Sequence, residues 1–332
     1  MDFFERQAQA RKSTRWLVVY FALAVALTIG ALYLAAVAGL AEFGSAPVRW
    51  WDASLAIGVT LTVGAIVALG STVRTFQLIG GGGVIATELG GTPLNPLTPD
   101  LDEQKLYHIV EEMSIAAGVP MPKIYVLQNE PGINAFAAGQ RSSDTAIGVT
   151  RGAIEQLTRD ELQGVIGHEF SHILNGDMKL NMRLACLTFG ILFISLTGQL
   201  LLRSLAYARV NNTGKKNNGG LLLLILAAGL ALLVIGAIGY FFTRVIQAAV
   251  CRQREFLADA SAVQFTRNPA GIAGALKKIA RLPRHGALTT PQAAKAGHFL
   301  FSSGSAGWWE HLFSTHPPLA ERIAAIDSAL QN

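Results

Sequence analysis

Four long uncharged stretches constrain the fold of this 332-residue chain more than any other feature. They are Trp16–Leu40, Ala53–Val73, Leu184–Leu202 and Leu221–Phe242, each roughly 19 to 25 residues long, enough for a helix to cross a bilayer core of about 30 Å. Hydrophobic residues make up 51% of the sequence and charged residues 15%, which is unusual for a soluble protein. We therefore expect an integral membrane protein with about four transmembrane helices.

Two alternatives compete with this interpretation. The second pair of stretches could form a buried hairpin in a soluble core, although the run Leu221–Leu226 is too uniformly apolar for a solvated helix, which favours spanning. At the N-terminus, Ala36-Val37-Ala38 resembles a signal-peptide cleavage site. The apolar stretch there is too long for a signal peptide, so we expect an uncleaved anchor.

Basic residues predict the orientation of the first pair. They precede the first stretch and follow the second, at Arg6, Arg11, Lys12, Arg15 and Arg74. The loop between the two stretches carries only Arg49. The excess of positive charge places the N-terminus and the segment after Val73 on the cytoplasmic side. These flanking residues explain the net charge of +5, so we expect no nucleic-acid binding.

A capped amphipathic helix is predicted over residues 159–175. Thr158 and Glu161 have the spacing of a capping box, and Asn175-Gly176 is a C-terminal stop signal,. Apolar residues recur at helical spacing, at Leu162, Val165, Ile166, Phe170 and Ile173,.

This helix carries the motif H-E-x-x-H over residues 168–172. Residues four apart share a helix face, so His168 and His172 can bind one metal ion. Glu169 would flank that ion and take a proton from an activated water molecule. The alternative is a pair of unrelated helix histidines beside a surface glutamate.

A catalytic zinc site needs a third protein ligand. The best candidate is Glu255, and Asp259 lies on the same helix face, where it could hold the outer nitrogen of a ligating histidine. The alternative is an exposed acidic pair that forms salt bridges with Arg252 or Arg254. His172 and Glu255 can bind one ion only if they lie on the same side of the membrane. The two apolar stretches between them must therefore either both cross the membrane or both stay on that side.

The order of these motifs resembles the HtpX-type heat-shock membrane zinc peptidases. It resembles more distantly the CAAX prenyl endopeptidases and the mitochondrial stress proteases of the same clan. After H-E-x-x-H come R-E-F-L-A-D at 254–259 and T-H-P-P-L-A-E-R at 315–322, and the resemblance covers nearly the whole chain. It implies a gluzincin-like zinc peptidase in the inner (plasma) membrane of a bacterial-type cell, with its active site on the cytoplasmic side.

The resemblance also implies roles for residues. One zinc ion per chain would be bound by His168, His172 and Glu255, with Glu169 as the catalytic acid and base. The segment Asn134-Ala135-Phe136 would form an edge strand beside the cleft and bind substrate, with an ordinary half-buried strand as the alternative.

The oxyanion of the reaction needs a donor besides zinc. His316 is the expected donor, and a turn histidine held by Pro317-Pro318 is the alternative. His298 and Arg322 are weaker options. The substrates implied by the resemblance are misfolded or misassembled membrane proteins, cleaved in membrane protein quality control under stress.

The expected fold is α+β and predominantly helical. We divide the chain into an N-terminal transmembrane pair at 1–78, a first catalytic part at 79–183, a transmembrane hairpin at 184–243 and a second catalytic part at 244–332. Gly80–Gly83 is expected to be a flexible exit from the membrane. Predicted strands are Lys123–Leu127, Ala135–Gly139 and Thr145–Val149, and predicted helices are Asp102–Ala117, Phe256–Phe265, Pro269–Ala280 and Pro318–Ala329,.

Three other functions stay open. A catalytically silent membrane scaffold could retain zinc for folding, but structural zinc usually has four protein ligands and no general base, so Glu169 argues against it. A transporter should carry charged residues inside its spans, and the four stretches contain none. A dedicated processing peptidase for one partner, such as a lipidated peptide, would have the same motifs.

Overall fold

The computed structural model describes residues 3–43, 49–77, 81–139, 144–211, 219–282, 301 and 313–330. The helices are α1 (Phe3–Phe43), α2 (Ala53–Gln77), α3 (Gly81–Glu88), α4 (Leu101–Ala117), α5 (Arg151–Gln156), α6 (Arg159–Asn175), α7 (Asp177–Asn211), α8 (Gly219–Thr266), α9 (Pro269–Arg281) and α10 (Leu319–Leu330). The strands are β1 (Thr92–Pro93), β2 (Lys123–Leu127), β3 (Ala135–Ala138) and β4 (Ala146–Thr150).

The chain divides into two compact units. One comprises Leu17–Gln77 and Leu184–Ile246, and the other comprises Met1–Trp16, Leu78–Arg183 and Gln247–Asn332. The first is here called the membrane unit and the second the peptidase unit.

The membrane unit contains apolar helix segments long enough to cross a bilayer. Among the described residues, four such segments lie in α1, α2, α7 and α8, at Val19–Glu42, Ala53–Gln77, Asp177–Tyr207 and Leu222–Thr266. The last two include residues that belong to the peptidase unit. Large apolar side chains point outward from them, among them Leu27, Leu61, Leu200, Leu230 and Phe242. Lipid is the environment in which such surfaces cost no free energy. Inside the unit, the Ser195 hydroxyl donates a hydrogen bond of 2.9 Å to the Leu233 carbonyl, as polar side chains do between membrane helices,.

The peptidase unit is built on a small mixed sheet. The strand order is β1-β2-β4-β3, in which β2 and β4 are parallel and the other pairs are antiparallel. Strand β3 pairs with β4 through Ala135 opposite Val149 and Ala138 opposite Ala146. Because β3 is last in this order, it forms an edge of the sheet.

Helix α6 lies in the centre of the peptidase unit and packs against α4, α9 and β3. The five apolar residues predicted along its face are all buried, and Leu106, Ile109, Val110 and Met113 of α4 meet them in one core. Burial of each such side chain stabilises the fold by roughly 1.5–3 kcal/mol. This core holds α6 rigidly, and α6 carries the H-E-x-x-H motif.

Local predictions differ from the structure in three ways. The predicted helix Phe256–Phe265 is instead the end of α8, because no glycine or proline interrupts the chain between Phe242 and Glu255,. Strand β3 ends one residue earlier than predicted, and β4 lies one residue later. Helices α4, α9 and α10 also differ from their predicted bounds by one residue, as is common for predicted boundaries,.

The third difference concerns the glycine run, of which Gly80 lies outside the described residues. Gly81–Glu88 is helical, and a β-carbon on Gly82 would lie only 2.1 Å from the Ala138 carbonyl oxygen. The glycine at position 82 therefore allows α3 to approach the sheet closely, which a flexible linker would not require.

Candidate metal centre

Helix α6 begins and ends as its sequence predicts. The Thr158 hydroxyl accepts a hydrogen bond from the Glu161 amide, and the Glu161 carboxylate accepts one of 2.8 Å from the Thr158 amide. At the C-terminus, Gly176 has φ of 68°, the left-handed conformation that favours glycine,. These two caps place His168 and His172 on consecutive turns of a buried helix.

The ring nitrogens of these two histidines converge with a carboxylate from α8. The two Nε2 atoms are 3.1 Å apart. Nε2 of His168 lies 3.6 Å from Oε2 of Glu255, and Nε2 of His172 lies 3.4 Å from Oε1. One ligand atom from each of the three residues lies within 4.8 Å of the others.

These separations suit a zinc ion. Two ligand atoms about 2.05 Å from a tetrahedral zinc ion are roughly 3.3 Å apart. The distance between the two Nε2 atoms, and the distance from each Nε2 to its nearer Glu255 oxygen, lie within a few tenths of an ångström of that value. Two imidazoles and one carboxylate also form a common ligand set of catalytic zinc, with a fourth position left for water. The residues present therefore fit a zinc ion.

The outer nitrogen of each histidine is held by a carboxylate. Nδ1 of His168 is 2.8 Å from Asp259, the residue predicted for this contact. Nδ1 of His172 is 2.9 Å from Asp177, which the sequence reasoning missed. The sequence offered one signal for Asp177, which is its position immediately after Gly176, the glycine that ends α6. With Nδ1 engaged in both rings, Nε2 is directed to the centre.

Electrostatics at the centre favour a cation. Burial lowers the pKa of His168, but the Asp259 and Glu255 carboxylates outweigh it and raise the pKa above its ordinary value. The pKa of His172 is raised well above its ordinary value, because Asp177 and Glu255 overcome its burial. The surrounding carboxylates thus stabilise positive charge at this point, whether it is a proton or a metal ion.

Glu169 is buried beside this centre. Burial raises the pKa of its carboxyl, while the imidazoles of His168 and His172 lower it. The net effect is a raised pKa, which brings a carboxylate closer to the range in which it both accepts and releases a proton.

His316 lies at the same centre, just before α10. Its Nδ1 atom is 2.7 Å from Oε2 of Glu255, although the pair lacks the angle of a hydrogen bond. Its Nε2 atom is buried and makes no hydrogen bond within the described part of the chain. Arg322 is close by but already engaged, since its guanidinium donates to both carboxylate oxygens of Asp259 at 2.6 and 2.8 Å. His298, the other weak option for an oxyanion donor, lies outside the described residues.

The predicted substrate segment lies at the sheet edge. The Asn134 carbonyl accepts a hydrogen bond of 3.1 Å from the Thr150 amide, so the alternation of an antiparallel ladder turns the main-chain groups of Ala135 and Ala137 to the open side,. The phenyl ring of Phe136 is buried in a second apolar cluster with Leu127.

A main-chain group already meets this edge. The Phe301 amide donates a hydrogen bond of 2.8 Å to the Ala135 carbonyl and one of 3.0 Å to Oδ1 of Asn134. The Phe301 ring packs edge-on against His168, with ring centroids 4.8 Å apart. Ala135 therefore presents its carbonyl to a main-chain donor directly beside His168, a candidate metal ligand.

The comparisons with known proteins agree with this geometry. The model of "Peptidase family M48" matches residues 100–330, which is more than half of the chain. The chain belongs to peptidase family M48. The matched region begins at Asp100, the N-cap of α4, and includes both the H-E-x-x-H motif and Glu255. Members of this family are in general zinc-dependent metallopeptidases.

Individual relatives support the same assignment. A protease HtpX homolog of Caldanaerobacter subterraneus subsp. tengcongensis is 39% identical over 248 residues, which is 74% of this chain and 77% of the relative. A protease HtpX homolog of Dictyoglomus turgidum is 38% identical over 225 residues, 67% of this chain and 68% of its own. The resemblance to HtpX-type proteases is thus confirmed, and the chain is a membrane protein of a protease family.

The crystal structure of S. mikatae Ste24p matches 96% of this chain and 67% of its own, at 18% identity and a TM-score of 0.46. Because this structural similarity is weak, the family assignment rests on the sequence matches alone.

Proposed function

We propose that this member of family M48 is a zinc endopeptidase that cleaves misfolded or misassembled membrane proteins at the cytoplasmic face of the membrane. The observation that carries the proposal is the convergence of His168, His172 and Glu255 around one point, with the buried carboxyl of Glu169 beside it. A structural metal site would not need a general base next to it.

In this proposal His168 and His172 bind the zinc ion through Nε2, and Glu255 binds it through its carboxylate. Zinc, when bound, would polarise a water molecule and the scissile carbonyl. Asp259 keeps Nδ1 of His168 engaged at 2.8 Å, which fixes the orientation of that ring,.

The proton transfers fall to Glu169. Its carboxylate takes the proton of the attacking water as the new carbon–oxygen bond forms, and then delivers it to the nitrogen of the leaving amine as the peptide carbon–nitrogen bond breaks. Nε2 of His316, which makes no hydrogen bond within the described residues, serves as the donor to the oxyanion,.

A substrate would bind in extended form along β3. The main-chain groups of Ala135 and Ala137 on its open side suit strand addition, in which main-chain hydrogen bonds supply affinity without sequence preference. Such broad recognition suits unfolded segments of many proteins. A substrate that pairs with Ala135 takes over the hydrogen bond now made by the Phe301 amide.

The test is cleavage of an unfolded protein by the detergent-purified, zinc-loaded chain, compared with Glu169→Gln. The amide keeps the volume of the carboxyl but cannot take the proton, so we expect cleavage to fall by at least about 10²-fold. The zinc content should stay at one ion per chain. Glu155→Gln, a change on α5 at an exposed ion pair with Arg151, is the matched control and should cleave normally.

Other outcomes separate the alternatives. If the wild-type chain and Glu169→Gln both hold zinc and both fail to cleave, the general endopeptidase is wrong, and a dedicated peptidase or a silent scaffold replaces it. If Glu169→Gln cleaves as well as the wild type, Glu169 is not the base.

A further inference from the structure

His172 has a second carboxylate contact that belongs to neither the H-E-x-x-H motif nor the motif around Glu255. Nδ1 of His172 lies 2.9 Å from Oδ2 of Asp177. The other carboxylate oxygen, Oδ1, pairs with Arg254 through its Nε and Nη2 atoms. The three side chains therefore form a chain of contacts from a metal ligand to a guanidinium.

The backbone places Asp177 for this contact. Gly176 ends α6 in the left-handed conformation, and its amide donates to carbonyls at the end of that helix, including that of His172. The left-handed residue ends α6, and Asp177 begins α7 immediately afterwards. An acidic side chain at the first position of a helix is also favoured by the helix dipole.

Arg254 makes the burial of Asp177 possible. The Asp177 side chain is only 2% exposed and that of Arg254 10%. An unpaired carboxylate at that depth would lose its charge or destabilise the fold. Nη2 of Arg254 also donates to the Asn175 carbonyl at 3.3 Å, so the guanidinium binds the C-terminal end of α6 as well. Both acceptors fix where the guanidinium lies.

A similar set of contacts surrounds the other histidine ligand. Nδ1 of His168 meets Asp259, and Asp259 is held by the buried guanidinium of Arg322. The two sets share no side chain. Two histidines of one metal site are thus each oriented by an aspartate that an arginine holds in place.

We propose that Asp177 is a positioning residue for the zinc ligand His172, and that Arg254 acts through Asp177. This inference rests on the zinc site of the proposed function. The Asp177 carboxylate fixes the proton of His172 on Nδ1, so that Nε2 faces the zinc ion with its lone pair. Arg254 immediately precedes the ligand Glu255 on α8. The same helix turn therefore supplies the ligand Glu255 and the arginine that holds Asp177 against His172.

The test is the zinc affinity of the full-length chain in detergent, measured by competition with a chelator. Asp177→Asn should weaken zinc binding about 10- to 100-fold, the usual cost of losing such a partner. It should also change the visible spectrum of the cobalt-substituted protein, because the orientation of the His172 ring changes. Arg254→Lys keeps the charge but cannot reach Asp177 and the Asn175 carbonyl together, and should weaken zinc binding as well. Asp327→Asn, at an exposed pair with Lys277, is the matched control.

A double variant tests the order of action. If Arg254 acts through Asp177, Asp177→Asn combined with Arg254→Lys binds zinc no more weakly than Asp177→Asn alone. If Asp177→Asn does not fold, Arg254→Lys decides, because it retains the counter-charge. Wild-type zinc affinity and cobalt spectrum in the variants that fold would overturn the inference, even if their thermal stability fell. A wild-type chain that binds no zinc would instead overturn the proposed function.

Discussion

At the residue scale, His316 has two ring nitrogens in different situations. Nδ1 is 2.7 Å from Glu255, whereas Nε2 makes no hydrogen bond among the described residues although it is buried. A buried nitrogen without a partner is costly unless another molecule supplies one. The oxygen of a bound substrate would satisfy it.

His316→Ala should therefore reduce kcat by about 10²- to 10³-fold, the usual effect of removing one donor to an oxyanion. KM should change little, because the interaction is made in the transition state. The measurement is the steady-state cleavage of a quenched fluorescent peptide at confirmed zinc content. His108→Ala, a change at an exposed histidine of α4, is the control. Unchanged kcat with zinc in place would show that the donor lies elsewhere.

The residues of the centre differ in how far they could be predicted. His168 and His172 were predictable because helix geometry alone brings residues four apart together. Asp177 and Arg254 were not, because any of the 27 lysines and arginines could have paired with an aspartate. Only the path of the chain after Gly176 selects this pair.

At the element scale, the start of α6 is held by side chains that also contact α9. The Glu161 carboxylate accepts from the Thr158 amide and pairs with Lys278 at 2.6 Å. Burial raises the pKa of Glu161, but the contacts with Lys278 and Thr158 outweigh it, so the pKa is lowered below 4.5. The folded state thus favours the ionised carboxylate.

Glu161→Gln should lower the free energy of unfolding by about 1 kcal/mol at pH 7. Glutamine can still accept the hydrogen bond from the Thr158 amide, but it loses the charge that pairs with Lys278. Because the pKa is lowered in the folded state, this contribution is present above the unfolded pKa near 4.5. It is lost as the pH falls through the lower folded value. The difference in thermal midpoint between wild type and variant, measured in detergent, should therefore shrink below about pH 4.5.

Glu112→Gln, at an exposed pair with Arg159, should change the midpoint much less at either pH, because exposed ion pairs contribute about 0–1 kcal/mol. A difference for Glu161→Gln that is the same at pH 7 and at acid pH would contradict the role of its charge.

At the scale of the whole molecule, apolar stretches and a metal motif coexist in one chain of 332 residues. Helices α7 and α8 each continue from apolar sequence into the peptidase unit, and α8 carries Glu255. The distribution of basic residues predicts that the peptidase unit faces the cytoplasm.

Labelling of introduced cysteines tests this orientation. In a background with Cys186→Ser and Cys251→Ala, we expect a membrane-impermeant thiol reagent to label Trp50→Cys in intact spheroplasts. We expect Glu155→Cys to be labelled only after the membrane is opened. Both side chains are exposed in the structure. Labelling of Glu155→Cys in intact spheroplasts would place the active site on the outer face.

The sequence by itself determined the elements whose signals are local. The spacing of His168 and His172, the caps of α6, the apolar face of α4 and the four long uncharged stretches each depend on residues close together in the chain. Glu255, His316 and the edge strand were candidates from the sequence, but only tertiary structure brings Glu255 to the histidines and His316 to Glu255. Tertiary structure also places the Phe301 amide against β3 and pairs Asp177 with Arg254. The physical reason is that helix periodicity and capping act over a few residues, whereas a metal centre requires side chains that only packing of the whole unit brings together.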